Sequence, residues 1–97
     1  MIGLLQHDDF APYVDKLFRF EGRHYALRLA AVDVSDRLNV PDGQRQPFIL
    51  IFHGPRGDVM PEGLYAAEVE GGASFELYVI PIHTVAPDRQ DYQAAFN

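Results

Sequence analysis

Cysteine is absent from this 97-residue chain, which excludes disulfide bonds, thiolate metal ligands and cysteine nucleophiles. Basic residues are scarce as well: seven arginines and one lysine, Lys16, stand against 14 acids, for a net charge of −6. This balance disfavours binding to the phosphates of DNA or RNA. Long apolar runs are missing too, because the longest, Phe48–Phe52, is far shorter than the ~20 residues that a membrane-spanning helix needs.

The N-terminal residues lack the basic segment and the long apolar run of a signal peptide. Together with the absence of cysteine, this predicts a cytoplasmic protein that does not contact a membrane. With 47% hydrophobic and 23% charged residues, the composition is that of a folded globular domain. Because a chain of 97 residues suffices for one hydrophobic core but not for two, we predict a single domain over residues 1–97.

Apolar and polar residues alternate over most of the chain with the period of two that is typical of β-strands. The predicted strands are Leu17–Phe20, His24–Val34, Phe48–Phe52, Leu64–Val69, Ser74–Pro81 and Asp91–Phe96. Two small residues, Ala30 and Ala31, interrupt the alternation and indicate a β-bulge or a bend in a long strand. Before the first strand, acidic capping residues predict a short helix over Asp9–Asp15, and the polar stretch Asp36–Gln46 predicts an exposed loop.

The strand pattern also predicts how the strands pair. Phe48–Phe52 carries large apolar side chains on both faces, which is typical of a central strand. Short turns such as Glu21–Arg23 and Gly71–Gly72 join the strands, and short turns permit only antiparallel pairing. We therefore predict a mainly β fold, a small antiparallel β-barrel of about six strands, with a two-sheet sandwich as the alternative. The N-terminal helix then plugs one end of the barrel or lies over one face.

Two short motifs follow Phe52. Residues Arg56–Asp58 match the Arg-Gly-Asp tripeptide of integrin ligands, but their position between two strands favours ordinary turn chemistry. His53 and Gly54 are similar to the histidine-glycine segment of α/β-hydrolase esterases. Those enzymes need a Gly-x-Ser-x-Gly elbow, which this chain lacks, and it has only two serines. We predict no catalytic residue and no enzymatic activity.

Two histidines invite comparison with metal sites. His53 and His83 each follow an apolar strand, so the two rings meet at one barrel rim if their strands are neighbours, with Asp58 or Asp88 as a further ligand. The competing interpretation is that these residues mark where strands reach solvent. No histidine pair stands at a spacing of two or four residues, so we adopt the second interpretation and predict no metal ligand and no cofactor.

Four blocks of the sequence resemble, in their order, the pattern of a family of small uncharacterised bacterial domains. The blocks are Pro47–Pro55, Pro61–Tyr65, Leu77–Ile82 and Tyr92–Asn97. The family pattern is Phe-x-Gly-Pro at a strand end, Pro-x-Gly-x-Tyr, a strand end similar to Val-Pro-Ile, and Tyr-x-Ala-x-Phe-Asn. The resemblance covers most of the chain and implies an all-β domain. It also implies an association with gene sets that encode proteins similar to phage-tail collars, and it implies no catalytic residue.

The sequence contains no motif that specifies a reaction, so we predict a non-enzymatic structural or protein-interaction module. Such a module binds a protein partner or a second copy of itself, and the resemblance points to a phage-tail-like assembly. The alternative is a small barrel that binds a ligand or a metal at a rim site near His53 and His83.

Overall fold

The computed structural model describes residues 5–23, 25–34 and 47–96. Its strands are β1 (Leu17–Phe20), β2 (Ala26–Val34), β3 (Phe48–Pro55), β4 (Gly63–Val69), β5 (Ser74–Ile82) and β6 (Arg89–Phe96). They form a closed barrel in the order β1-β2-β3-β6-β5-β4, and every neighbouring pair is antiparallel. The barrel confirms the predicted mainly β fold and decides against the two-sheet sandwich.

β3 lies between β2 and β6, as the pattern of a central strand predicts. Phe48, Leu50 and Phe52 point into the barrel and are buried. Ile49 and Ile51 lie between them on the outer face and are half-buried. The apolar character of both faces therefore has two sources, the core and a row of outer-face contacts between neighbouring strands.

The structure corrects the predicted end of β3. We predicted that the strand stops at Phe52, but β3 continues to Pro55. The pairing with β6 explains the difference, since Gly54 lies opposite Gln90 in the ladder. A glycine and a proline at the end of a strand cost few ladder hydrogen bonds, so the local signal for a turn is overridden by pairing.

The bulge predicted in β2 is confirmed. The register of β2 against β3 shifts between Leu29 and Ala31, so Ala30 is the extra residue. Because side chains alternate between the two faces of a strand, one extra residue reverses the alternation. As a result Leu27 and Leu29 point inward before the bulge, and Val32 packs against the core after it.

The turn between β4 and β5 is also confirmed. Gly71 and Gly72 have φ angles of +105° and +107°, a region that side-chain-bearing residues rarely adopt. The pairing of β1 with β4 covers three residue pairs, because β1 has only four residues and reaches only residues 67–69 of β4. One more hydrogen bond extends this contact, from the main-chain N–H of Glu21 to the carbonyl oxygen of Ala66 at 2.9 Å.

The predicted N-terminal helix is present as two 3₁₀ turns, His7–Asp9 and Ala11–Tyr13. The first begins two residues before the predicted start, and the second ends two residues before the predicted end. Asp9 accepts a hydrogen bond from the main-chain N–H of Gln6 at 2.7 Å, which satisfies one of the free donors at the start of the first turn. Of the two predicted positions of this segment, it adopts the plug.

Phe10, between the two turns, is the plug. The side chain is fully buried, and its ring centroid lies 4.6 Å from that of Phe75 on β5 and 5.5 Å from that of Phe96 on β6. β5 and β6 pair only over residues 80–82 and 91–93, so they separate toward this end of the barrel. Phe10 fills the gap between the two strands.

The segment between β3 and β4 closes the opposite end. Met60 is fully buried, and its main-chain N–H donates to the hydroxyl of Tyr92 at 2.8 Å. The Tyr92 ring lies over Gly54, where an added Cβ would be 3.3 Å from Tyr92 Cε1 and would overlap Leu27 Cδ2. Glycine at this position thus makes room for two core side chains. The buried apolar side chains are Phe10, Phe18, Phe20, Leu27, Leu29, Phe48, Leu50, Phe52, Met60, Ala67, Val69, Leu77, Val79, Tyr92 and Ala94.

The predicted loop Asp36–Gln46 lies outside the described residues, and so does His24, the first residue of the predicted second strand. In the part of the chain that the structure describes, no helix has the length and apolar character needed to cross a membrane.

Candidate functional site

A row of charged and polar side chains crosses the outer faces of β2, β3 and β6. The strand register places Arg28 opposite His53 and His53 opposite Asp91. Arg28 Nη2 lies 2.9 Å from His53 Nδ1, and His53 Nε2 lies 3.7 Å from Asp91 Oδ1. The row ends in two ion pairs, because Arg28 Nη1 donates to Asp15 at 2.9 Å and Arg89 Nε donates to Asp91 at 2.7 Å. We call these five residues the outer row.

The outer row determines the protonation state of His53. An arginine side chain has only donors, so His53 Nδ1 accepts from Arg28 and the ring proton lies on Nε2, toward Asp91. Burial of the ring lowers the pKa of His53, as does the charge of Arg89, while the charge of Asp91 acts in the opposite direction. The neutral ring then has no free lone pair, which a general base or a metal ligand requires.

Hydrogen bonds within the protein also fix the charge state of Asp91. Its side chain is 13% exposed, and burial alone would raise the pKa of this carboxyl. Hydrogen bonds from Arg89 and Thr84 outweigh that effect and lower the pKa of Asp91 below its ordinary value. The carboxylate is therefore ionised and engaged in contacts within the protein, which suits a structural role better than proton transfer.

The structure does not bring the predicted rim residues together as a site. His53 lies on the outer face of β3 within the outer row, whereas His83 is exposed in the segment after β5. Asp58 forms an ion pair with Arg23 at 3.5 Å, and Asp88 is exposed in a turn. Across residues 5–23, 25–34 and 47–96, no group of three His, Cys, Asp or Glu side chains could hold a metal ion.

Four tyrosine hydroxyls bind the segment 58–62 that closes one barrel end. The contacts are Tyr25 to the carbonyl oxygen of Asp58 (2.5 Å), Tyr92 with the N–H of Met60 (2.8 Å), Tyr65 to the carbonyl oxygen of Pro61 (2.6 Å) and Tyr78 to Glu62 Oε2 (2.5 Å). Burial raises the pKa of Tyr92 to about 12, so its hydroxyl stays protonated at neutral pH. Tyr25 and Tyr65 are half-buried, whereas Tyr92 is fully buried and Tyr78 is 49% exposed.

The Arg-Gly-Asp tripeptide lies in the turn that sequence analysis predicts. Gly57 has a φ angle of +96°, which favours glycine. Arg56 Nη1 donates to the carbonyl oxygen of Ala86 at 3.0 Å, and Asp58 pairs with Arg23. Both charged side chains bind other parts of the same chain, which supports the interpretation as a structural turn.

A groove of about 660 Å³ runs along the outer side of β4. It is lined by residues 19–23 of the β1–β2 hairpin, 66–68 of β4 and 74–76 of β5. Next to the groove, Leu64 of β4 and Tyr78 of β5 lie directly opposite each other on the outer face. They are 62% and 49% exposed, which is high for two large apolar side chains in neighbouring positions.

Neither the outer row nor the groove was predicted from the sequence. Arg28 and Asp91 stand inside or at the start of strands, and a charged residue within an alternating pattern signals an outer face but not its neighbours. Which residues meet across strands depends on register, which a single sequence does not specify. The groove lies where the β1–β2 hairpin, β4 and β5 meet, and that meeting depends on strand order and register, which a single sequence does not specify.

The outer row predicts a pH dependence of stability. The pKa of His53 in the folded protein lies below its ordinary value of 6.5, so between these two values the unfolded chain binds a proton that the folded chain does not. The free energy of unfolding should therefore be highest above about pH 6.5 and should fall as the pH is lowered through this window. Urea denaturation at a series of pH values between about 7 and 5 measures the slope.

The replacement His53→Gln should flatten this slope, because it removes the titrating group. The matched control is His83→Gln, since His83 is exposed and lies outside the outer row. A slope that survives His53→Gln unchanged would contradict the assignment of this dependence to the outer row.

Taken together, the fold is a small closed antiparallel barrel whose two ends are filled by the chain's own side chains, with a charged row and a groove on its outer surface. The chain belongs to the DUF6916 family, described as a domain of unknown function, whose model matches residues 5–96. This membership agrees with the resemblance to an uncharacterised family. The chain matched no curated protein and no solved structure in these comparisons.

Proposed function

We propose that this protein is a non-enzymatic structural module that binds a protein partner through the outer face of β4 and β5. The observation that carries the proposal is the exposed cross-strand pair of Leu64 and Tyr78 beside the groove. Adjacent exposed apolar side chains, unlike single ones, are a feature of interaction surfaces. We place the protein in the cytoplasm, in keeping with its cysteine-free sequence.

The chemistry of the described side chains supports a role without catalysis. Among the described residues, the histidine with a lowered pKa is His53, and its acceptor nitrogen is occupied by Arg28. The carboxylate next to it, Asp91, accepts from Arg89. A catalytic site needs a titratable group with an open position for a reacting atom, and the outer row offers none.

The proposed partner is a component of a phage-tail-like assembly. Support for this part comes from the resemblance of four sequence blocks to bacterial domains associated with genes for tail-collar-like proteins. A small barrel closed at both ends suits such a role, because a rigid module presents one face to its neighbours with little loss of conformational entropy on binding.

The test is cosedimentation with tail-like particles from cells that produce this protein. The wild-type chain should sediment with the particles, and Leu64→Asp should lower the bound fraction about tenfold, as expected when a charge replaces an apolar anchor. The matched control is Val85→Asp, because Val85 is 91% exposed and does not line the groove. Circular dichroism and thermal unfolding establish that both variants fold.

Two results would count against the proposal in different ways. If the wild-type chain stays at the top of the gradient, the phage-tail-like partner is wrong. If Leu64→Asp sediments with the particles as the wild type does, the outer face of β4 and β5 is not the docking face.

A further inference from the structure

All five glutamates of the chain lie on one side of the barrel. They belong to three neighbouring strands, β1, β4 and β5, or directly adjoin them, and every one is exposed: Glu21, Glu62, Glu68, Glu70 and Glu76. None of these carboxylates takes part in an ion pair with the described residues. The side of the barrel that carries the exposed pair of Leu64 and Tyr78 is therefore also negatively charged.

Two of the glutamates lie on opposite sides of this apolar pair. Glu62 precedes Leu64 by two residues, and its Oε2 accepts from the hydroxyl of Tyr78 at 2.5 Å. Glu76 lies opposite Ala66, two residues beyond Leu64, on the same outer face. Along the direction of β4, the order is thus a carboxylate, two apolar side chains and a second carboxylate.

The basic residues of the groove leave these two charges uncompensated. Arg23 is already engaged, because its guanidinium pairs with Asp58 at 3.5 Å. Arg19, the other basic residue that lines the groove, lies opposite Glu68 in the ladder and offsets that carboxylate. A surface that complements Glu62 and Glu76 accordingly carries positive charge on both sides of an apolar centre.

The main chain of β4 is not available to a partner over most of its length. β5 pairs with residues 63–68, and the β1 side is occupied from Ala66 to Val69. A partner therefore binds the side chains of the outer face from above, and its own N–H and C=O groups need partners within the same segment. An α-helix meets this requirement, since its main-chain groups are paired along the helix.

The spacing of the rows on this face also fits a helix. Side chains two residues apart on a strand are roughly 6.6 Å apart, and a helix rises roughly 6 Å over four residues. When a helix runs along β4 with one side chain on Leu64 and Tyr78, the side chains four residues before and after it reach the rows of Glu62 and Glu76. These three side chains share one face of the helix.

We propose that the partner protein docks an amphipathic helix along the outer face of β4, with an apolar side chain on Leu64 and Tyr78 and an arginine or lysine four residues to either side of it. The proposal rests on the function proposed above and adds the chemistry of the partner. Ala66 contributes through its small size, because the aliphatic stem of the cation that pairs with Glu76 lies over it in the groove.

A second copy of this chain fits this face poorly. Each copy has a net charge of −6, so two copies repel each other where a basic helix is attracted. The described residues moreover contain no α-helix, only the two 3₁₀ turns near the N-terminus. The occupant is therefore a different protein.

The test uses the full chain, labelled with nitrogen-15, and a synthetic peptide as the probe. The probe is acetyl-Ala-Gln-Ala-Arg-Ala-Gln-Ala-Leu-Ala-Gln-Ala-Arg-Ala-Gln-Ala-amide, whose residue order is the same in both directions, so either orientation of the helix presents the same side chains. Binding should shift the amide resonances of Leu64, Ala66 and Tyr78. The resonances of His53 and Asp91, in the outer row, should stay unchanged.

Three control peptides separate the parts of the proposal. A peptide with glutamate in place of both arginines should bind at least about tenfold more weakly at low salt, and the difference should shrink as salt screens the charges. A peptide of the same composition, with the arginines two residues from leucine, carries them on the opposite face of the helix and should lose the same preference. A peptide with proline after leucine has no continuous helix and should not bind.

Variants of the protein locate the binding site. Glu62→Gln combined with Glu76→Gln should weaken binding of the probe about fivefold, since it removes two exposed ion pairs. Glutamine keeps an acceptor for the hydroxyl of Tyr78. Asp33→Asn combined with Asp88→Asn is the matched control, because it removes the same charge from exposed positions that do not line the groove. Equal effects of the two double variants would overturn the proposed site.

Several results with the peptides would overturn the proposal as well. These are equal binding of the arginine and glutamate peptides, equal binding of the two arginine arrangements, undiminished binding of the proline peptide, and no binding of the probe up to about 1 mM. A shift of the Leu64 resonance that grows with protein concentration alone would assign the face to a second copy.

These outcomes are separate from those of the cosedimentation experiment. If the probe fails while Leu64→Asp still releases the chain from particles, the docking face stands and the basic helix is wrong. If the probe binds as expected while the wild-type chain does not join particles, the basic helix stands and the phage-tail-like partner is wrong.

Discussion

Replacement of Phe10 by alanine is expected to lower the free energy of unfolding by about 4 kcal/mol, the largest effect of any single side chain that we consider. Phe10 is fully buried and contacts the rings of Phe75 and Phe96 on two strands that do not pair at this end of the barrel. Its removal leaves a cavity that backbone hydrogen bonds between β5 and β6 cannot close. Urea denaturation followed by circular dichroism measures the loss.

The control for this experiment is Val14→Ala. Val14 follows the second 3₁₀ turn and is 36% exposed, so its truncation should cost less than about 1 kcal/mol. If Phe10→Ala lowered the free energy of unfolding by no more than Val14→Ala does, the N-terminal turns would lie on the barrel without contributing to its core.

Gly54→Ala is expected to destabilise the protein by about 2 kcal/mol, although alanine is the better strand residue. The added methyl group would overlap Leu27 Cδ2 and lie 3.3 Å from Tyr92 Cε1, and both side chains are fully buried. Overpacking of this kind forces a shift in the core or in the backbone of β3. Thermal unfolding and urea denaturation report the change.

A second glycine supplies the matched control. A Cβ on Gly63, at the start of β4, would meet its nearest atom, Tyr65 Cε2, at 3.6 Å, which is an ordinary contact. Gly63→Ala should therefore be neutral or slightly stabilising. In a Leu27→Ala background the cost of Gly54→Ala should shrink, because the methyl group then has room. Additive effects of these two substitutions would contradict the overlap.

The alternation of side chains predicted most of the barrel. Strands β1, β4, β5 and β6 follow directly from apolar residues at every second position, and the two small residues at the Ala30 bulge marked where β2 changes phase. These features are local, so they can be found in a single sequence. The choice of a barrel over a sandwich followed from the same pattern only as a preference.

Features that depend on distant residues could not be predicted in this way. β3 extends to Gly54 and Pro55 because they pair with Gln90 and Arg89 of β6, which lie 36 and 34 positions later in the sequence. Met60 carries no local sign that its N–H meets the hydroxyl of Tyr92. The outer row needs the register of three strands at once, since Arg28, His53 and Asp91 are 25 and 38 positions apart in the sequence.

The strand order divides the barrel into two halves of three consecutive strands, β1–β3 and β4–β6, which meet along two seams. The seam between β3 and β6 has eight residue pairs, whereas the seam between β1 and β4 has three. Of these two seams, the one between β1 and β4 is therefore expected to open first on heating.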